Sequence, residues 1–81
     1  MRIRVLYFAG LRERAGCDQD DLDLPPGALL ADAVAEAGRR RTALSPLDAS
    51  VRFALNRELA DGSASLAAGD EVALLPPVSG G

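Results

Sequence analysis

Hydrophobic and polar residues alternate through residues 2–8. A period of two is typical of a β-strand, whose successive side chains point to opposite faces of a sheet. The pattern therefore predicts a first strand with two different faces. One face consists of Ile3, Val5 and Tyr7, and the other of Arg2, Arg4, Leu6 and Phe8.

The next two segments predict a short helix and a second strand. Residues 9–15 lack alternation, are mostly helix formers and are followed by Gly16, which favours a helix end. Alternation resumes over 18–24 and stops at the Pro-Pro-Gly sequence of residues 25–27. We expect this second strand to form a hairpin with the first.

The segment Leu30–Arg40 predicts a long helix, because its apolar residues recur at helical spacing. Acidic residues lie early in it and arginines lie late, as the helix dipole favours. Leu29 occupies the position where a Ser, Thr or Asp cap is usual. The arginines at 39–41 are either a solvated helix end or a binding patch, and we favour the helix end.

The remaining segments predict strands. Val51–Leu55 alternates and turns at residues 56–58, a brief strand surrounds Leu59, and the last strand, Glu71–Leu75, stops at two prolines. A long helix among strand hairpins in so short a chain indicates an α+β fold, with the helix packed on one face of the sheet.

The side chains that the chain lacks exclude most enzyme chemistry. Its 81 residues include no His, no Trp and a single Cys, and all nine basic residues are Arg. A structural zinc site, a disulfide framework, a Ser-His-Asp triad and a Schiff-base lysine are therefore excluded. The composition, with 48% apolar and 26% charged residues, is otherwise ordinary for a small globular domain.

The charge balance argues against nucleic acid and membranes as partners. A net charge of −3 is unsuited to binding phosphate backbones, which requires clustered Lys and Arg. The apolar run in the first strand is too short to span a bilayer. Because no signal sequence or cysteine pattern is present, we expect a cytoplasmic protein.

The last six residues, 76–81, read Pro-Pro-Val-Ser-Gly-Gly and predict an extended tail on a domain of residues 1–75. Pro76 and Pro77 favour extended backbone, and the two glycines fit a slot too narrow for a side chain. At about 3.3 Å per residue this tail reaches roughly 20 Å, far enough to enter another protein's active site. With no other strong nucleophile in the domain, the carboxylate of Gly81 is the candidate reactive group. Adenylation and sulfur transfer there would give a thiocarboxylate, a covalently carried nucleophile.

The segment from Gly69 to Gly81, which includes Gly-Asp-Glu-Val and Pro-Pro-Val-Ser-Gly-Gly, resembles the C-terminal signature of the MoaD family, the small sulfur-carrying subunits of molybdopterin synthase. Val5–Glu13, Leu55-Asn56 and the chain length resemble that family too, so the likeness spans nearly the whole chain. The Gly-Gly end alone is shared with thiamine-pathway sulfur carriers and ubiquitin-like modifiers.

This resemblance implies a β-grasp, ubiquitin-like fold with a mixed sheet packed on one long helix. It also implies that an E1-like enzyme adenylates Gly81 with ATP and that a cysteine desulfurase or rhodanese type of protein supplies sulfur. The large synthase subunit would bind the tail in its catalytic pocket, in a two-plus-two heterotetramer, and pass the sulfur to a pyranopterin. Gly81 would carry the reactive carbon, Gly80 would allow threading, and Val78 and Ser79 would contact the pocket. The chain itself would hold no cofactor or metal.

The alternation also predicts a docking surface. If Val72 and Leu74 are buried beneath the helix, a set of apolar side chains lies on the opposite face of the sheet. The set is Leu6, Phe8, Ala54, Leu59, Ala73 and Leu75. Exposed apolar patches usually mark a partner site. A register shifted by one residue would instead bury these side chains in the core.

Other functions stay open at this point. Cys17 has no cationic neighbour except Arg14 to favour a thiolate, so we interpret it as an inert loop thiol. The chain could be a sulfur carrier or protein modifier that serves another pathway, such as thiamine, cysteine or tRNA thiolation. It could also be a β-grasp interaction module whose tail has no chemistry.

Overall fold

Five strands form one mixed sheet in the computed structural model, which describes residues 1–44, 47 and 50–76. They are β1 (Arg2–Tyr7), β2 (Gln19–Asp23), β3 (Arg52–Leu55), β4 (Glu58–Ala60) and β5 (Glu71–Leu75). Their order across the sheet is β2-β1-β5-β3-β4, with β1 and β5 parallel and the other pairs antiparallel. The predicted hairpin of the first two strands is confirmed.

The helix α2 (Leu30–Arg40) covers one face of this sheet and completes the predicted α+β, β-grasp arrangement. Its Leu30, Ala33 and Ala37 are fully buried. They share a single core with alternate residues of the strands. The strand residues in this core are Ile3, Val5, Tyr7, Leu22, Val72 and Leu74. Burial of each large side chain contributes about 1.5–3 kcal/mol, which makes this face the main source of stability.

The ends of the helices follow local chemistry. The short helix α1 (Ala9–Ala15) ends where Gly16 adopts a φ of 80° and its N–H donates to the carbonyl of Arg12. This is the predicted glycine end. At the start of α2, Leu29 offers no side-chain cap, but its own N–H donates to the Asp32 carboxylate at 2.8 Å. One half of a capping box therefore replaces the missing polar cap.

A buried carboxylate ties the end of α2 to the sheet. Asp20 is 7% exposed and lies on the helix-covered face, because it pairs directly with Val5. Its oxygens accept hydrogen bonds from the Tyr7 hydroxyl at 2.7 Å and from two nitrogens of Arg41 at 2.7 and 3.0 Å. The Arg41 guanidinium holds the pKa of Asp20 below its usual range, against the opposing effect of burial.

The other two arginines of the triplet are also engaged within the fold. Arg39 pairs with Glu36 one turn earlier at 2.6 Å, and Arg40 donates to the backbone carbonyl of Asp21 at 3.0 Å. These contacts agree with the helix-end interpretation of residues 39–41.

Some features differ from the expectations or lie outside them. A 3₁₀ turn at Thr42–Leu44 was not predicted, and it adds the buried Leu44 to the core. None of the helices within the described ranges is long and apolar enough to cross a membrane. Because residues 77–81 lie outside those ranges, the division into a domain of residues 1–75 and a tail stays a prediction.

Candidate functional site

The face of the sheet that α2 does not cover carries a row of apolar side chains. Leu6 pairs with Ala73, Ala73 pairs with Ala54, and Ala54 pairs with Leu59. Directly paired residues point to the same face, so the row crosses four strands. Val72 and Leu74, the alternate positions of β5, are completely buried. The one-residue register shift is therefore excluded.

Phe8 and Leu75 widen this row at the end of the sheet where β1 and β5 finish. Leu6, Phe8, Ala54, Ala73 and Leu75 line an open concavity of about 470 Å³. Phe8 is 43% exposed and Leu59 is 71% exposed. We call the six residues of the row and its extension the apolar face. The structure thus brings together the six predicted docking side chains.

The turn after β1 presents Phe8 to solvent. Phe8 has extended backbone, and its carbonyl accepts the N–H groups of Leu11 and Arg12 at the start of α1. Ala9 then adopts a φ of 48°, which is uncommon for a residue other than glycine. Phe8 lines the same concavity as Leu6.

The β3–β4 turn forms the opposite border of the apolar face. Asn56 and Arg57 have φ values of 50° and 73°, as the tight turn of a two-residue hairpin requires. Asn56 donates to Asp70 and accepts the N–H of Glu71, each at 3.0 Å, so the turn is attached to the start of β5. Arg57 and Glu71 line the same concavity as Phe8. The sequence predicted this turn, but it did not single out Arg57 as a residue that borders the apolar face.

The predicted reactive tail starts beside the apolar face. β5 is hydrogen-bonded to β1 on one side and to β3 on the other, and its last residue, Leu75, belongs to the face. Pro76 follows directly. The other predicted tail residues lie outside the described part of the chain. They are Pro77, Val78, Ser79, Gly80 and Gly81.

Cys17 does not belong to this site. It lies between α1 and β2, is partly buried, and packs against the core on the helix-covered side. No group of three or more His, Cys, Asp or Glu side chains that could hold a metal exists among the residues described.

The chain matches the ThiS family model over residues 5–81. It is 41% identical to the molybdopterin synthase sulfur carrier subunit of Chlamydomonas reinhardtii, with each chain covered completely. It is 40% identical to the subunit of the same name from Escherichia coli, with 98% of this chain and 99% of the relative covered.

Solved structures show the same fold. The crystal structure of SAMP1, a small archaeal modifier protein of Haloferax volcanii, matches with a TM-score of 0.93 and 32% identity over the full length of both chains. A chain from the complex of subunits 1 and 2 of molybdopterin-converting factor from Helicobacter pylori matches with a TM-score of 0.73 and 26% identity, also over both full lengths. The ubiquitin-like β-grasp fold and the resemblance seen in the sequence are confirmed. The chain belongs to the ThiS family, among relatives named as sulfur carrier subunits of molybdopterin synthase.

Proposed function

We propose that this protein carries sulfur for molybdopterin synthesis on the carboxyl group of Gly81. An E1-like enzyme joins that carboxylate to AMP with release of pyrophosphate from ATP. The terminal sulfur of a persulfide on a desulfurase or rhodanese type of donor then displaces AMP and gives an acyl disulfide. A second thiol cleaves the S–S bond, forms a disulfide with the donor cysteine and leaves the thiocarboxylate on Gly81. The observation that carries this proposal is the full-length match to two named sulfur carrier subunits at 40–41% identity.

The acceptor in this proposal is the large subunit of molybdopterin synthase, which docks on the apolar face. The Helicobacter pylori complex of subunits 1 and 2 supports a partner of this kind. Because β5 ends within the apolar face, a protein bound there is well placed to receive the residues that follow Pro76. Gly80 and Gly81 pass through the narrow part of its pocket, and Val78 and Ser79 contact the wall. The large subunit supplies the acid and base groups that this chain lacks.

The chemistry proposed for the tail is consistent with a large subunit that supplies the acid and base groups. Transfer of sulfur to the pyranopterin regenerates the Gly81 carboxylate with oxygen from water, so the chain can be loaded again. The chain needs no cofactor of its own for this cycle, since ATP is used by the activating enzyme. We expect the complete synthase to be a heterotetramer of two small and two large subunits.

A second candidate is a role as a protein modifier or as the sulfur carrier of another pathway. It is favoured by the likeness to the small archaeal modifier protein, which extends over the full chain with a TM-score of 0.93. Both candidates use an activated C-terminal glycine. A sulfur carrier passes sulfur to its acceptor, whereas a modifier joins its own glycine carbonyl to an amine of the acceptor.

The first experiment asks whether the tail is loaded with sulfur. The protein is incubated with an E1-like activating enzyme, ATP and a sulfur donor, and its intact mass is measured. We expect one oxygen to be replaced by one sulfur at Gly81. A variant without Gly81 serves as the control and should keep its mass. An unchanged mass for the wild-type protein would indicate an interaction module without tail chemistry.

The second experiment identifies the acceptor. Loaded protein is mixed with the large synthase subunit and a pyranopterin precursor, and dithiolene formation is measured. Product formation supports the molybdopterin pathway, and a variant with one residue added after Gly81 should be inactive although folded. Loading without transfer, together with covalent attachment to other proteins, would favour the modifier role instead.

A further inference from the structure

Most arginines of this acidic protein are engaged within the fold. Those of β1, of the two helices and of the segment after α2 form ion pairs or hydrogen bonds with carboxylates or backbone carbonyls. They are Arg2, Arg4, Arg12, Arg14, Arg39, Arg40 and Arg41. Arg52 and Arg57 are exposed and make no such contact in the part of the chain that the structure describes.

Both of these arginines border the apolar face. Arg52 pairs directly with Leu75 and therefore points to the same side of the sheet. Arg57 lines the concavity together with Phe8 and Leu6. Measured along the strand direction at about 3.3 Å per residue, Arg52 and Arg57 lie roughly 13 Å apart, on either side of the apolar row.

Two carboxylates line the same concavities as these arginines without forming ion pairs with them in the described part of the chain. Asp61 lines a groove together with Arg52 but accepts hydrogen bonds from the N–H and the hydroxyl of Ser63. Glu71 lines the concavity with Arg57, yet the two form no ion pair within the described residues. Both guanidinium groups can therefore bind carboxylates of a partner.

The backbone at Arg57 gives an independent indication. Its φ of 73° is a conformation that glycine adopts without strain and that arginine disfavours. The second position of such a turn is most often glycine. An arginine kept in a strained turn at the border of an apolar face indicates that its side chain has a role there.

We propose that the large subunit presents carboxylates opposite Arg52 and Arg57, so that these arginines determine which partner the apolar face accepts. This proposal rests on the proposed function, because it takes the large subunit as the occupant of the face. Charged groups around an apolar centre mainly affect partner choice and the rate of association. The pair also fixes orientation, since Arg52 lies beside the strand end from which the tail continues.

The test compares Arg52→Gln and Arg57→Gln with Arg39→Gln, which removes the same charge from α2, the element on the other side of the sheet. Dissociation constants for the large subunit are measured by calorimetry at low and at high salt. We expect each of the first two substitutions to weaken binding about 3- to 10-fold at low salt and less at high salt, because salt screens exposed charges. Arg39→Gln should bind like the wild type.

The possible outcomes distinguish this proposal from the proposed sulfur carrier function on which it rests. Wild-type affinity for both variants, or a wild-type affinity that does not depend on salt, overturns the role of the arginines and leaves the sulfur carrier function intact. Failure of the wild-type protein to bind the large subunit at all overturns both. If the two variants bind normally but are loaded poorly by the activating enzyme, the arginines recognise that enzyme and this proposal is wrong.

Discussion

Arg57 combines an unfavourable backbone conformation with a side chain that has no partner in the described fold. We expect Arg57 to serve a function at some cost in stability, because a non-glycine residue with positive φ lowers the stability of its turn. The same reasoning applies to Ala9, which holds the turn that exposes Phe8.

Replacement of Arg57 by Gly should therefore stabilise the fold while weakening the partner complex. We expect the free energy of unfolding, measured in urea, to rise by about 0.5–1 kcal/mol. The matched control is Asn56→Gly, which removes the side-chain hydrogen bonds to Asp70 and Glu71 and should destabilise the fold. A loss of stability in Arg57→Gly would show that the strain argument is wrong.

Asp20 is a second residue whose contribution can be measured, through the pH dependence of the free energy of unfolding. Its pKa is lowered in the folded state, chiefly by the hydrogen bonds from Arg41. The stability that Asp20 contributes is thus present above its unfolded pKa of about 3.9 and is lost as the pH falls through the lower folded value.

We expect Asp20→Asn to lower the free energy of unfolding by about 2 kcal/mol at neutral pH, since hydrogen bonds to a charged group are lost. The difference from the wild type should shrink as the pH falls below about 4, where the carboxylate of the unfolded wild-type chain becomes protonated, and should continue to shrink through the lower folded pKa. Urea unfolding curves from neutral to acidic pH measure it. A difference that stays constant over this range would contradict the assigned role.

The elements of the fold could be predicted because their patterns are local. Alternation in β1 and β5 assigned the two faces of the sheet, and Gly16 marked the end of α1. The link between Tyr7, Asp20 and Arg41 could not be predicted in the same way, because it joins segments that are distant in sequence. One signal was present, since Asp20 occupies the alternation phase of the buried Leu22.

The candidate site was predictable in part for the same reason. The six apolar side chains follow from strand alternation once the register is correct. The sequence could not show that Arg52 and Arg57 form no ion pair in the described fold. That depends on which of the other arginines find carboxylates in the folded chain. The predicted roles of Gly80 and Gly81 depend on a partner and stay predictions.

A substitution of Leu59, on the edge strand β4, tests whether the apolar face is the docking site. It is 71% exposed, so Leu59→Ser should change the free energy of unfolding by no more than about 0.5 kcal/mol. Binding of the large subunit should weaken several-fold, because contact area in the apolar row is lost.

The matched control is Leu29→Ser, which removes another exposed leucine at the start of α2, outside the apolar face. It should leave binding unchanged, and it should raise stability because serine is a better helix cap than leucine. Equal loss of binding in both variants would show that the apolar face is not the docking site.

The whole molecule is unusual in what its side chains can do. It contains neither His nor Lys, and its single Cys17 packs against the core on the side of the sheet opposite the apolar face. In the proposed function, the chain brings a reactive group to an acceptor and its partners supply acid and base catalysis.

Cys17→Ser should accordingly keep the ability to accept and donate sulfur. The intact mass after loading and the yield of dithiolene should match those of the wild type. Because Cys17 packs partly against the core, a modest loss of stability is expected from the substitution. Loss of sulfur transfer in a folded Cys17→Ser protein would refute the model in which Gly81 carries the sulfur.

The central position of β5 also has a mechanical consequence. A partner that draws the tail into its pocket pulls along the axis of a strand that is bonded to β1 and β3 on its two sides. The hydrogen bonds of these ladders run across the strands, so such a load shears them together instead of opening them one at a time. In the proposed delivery step, the two ladders of β5 would therefore resist the pull on the tail together.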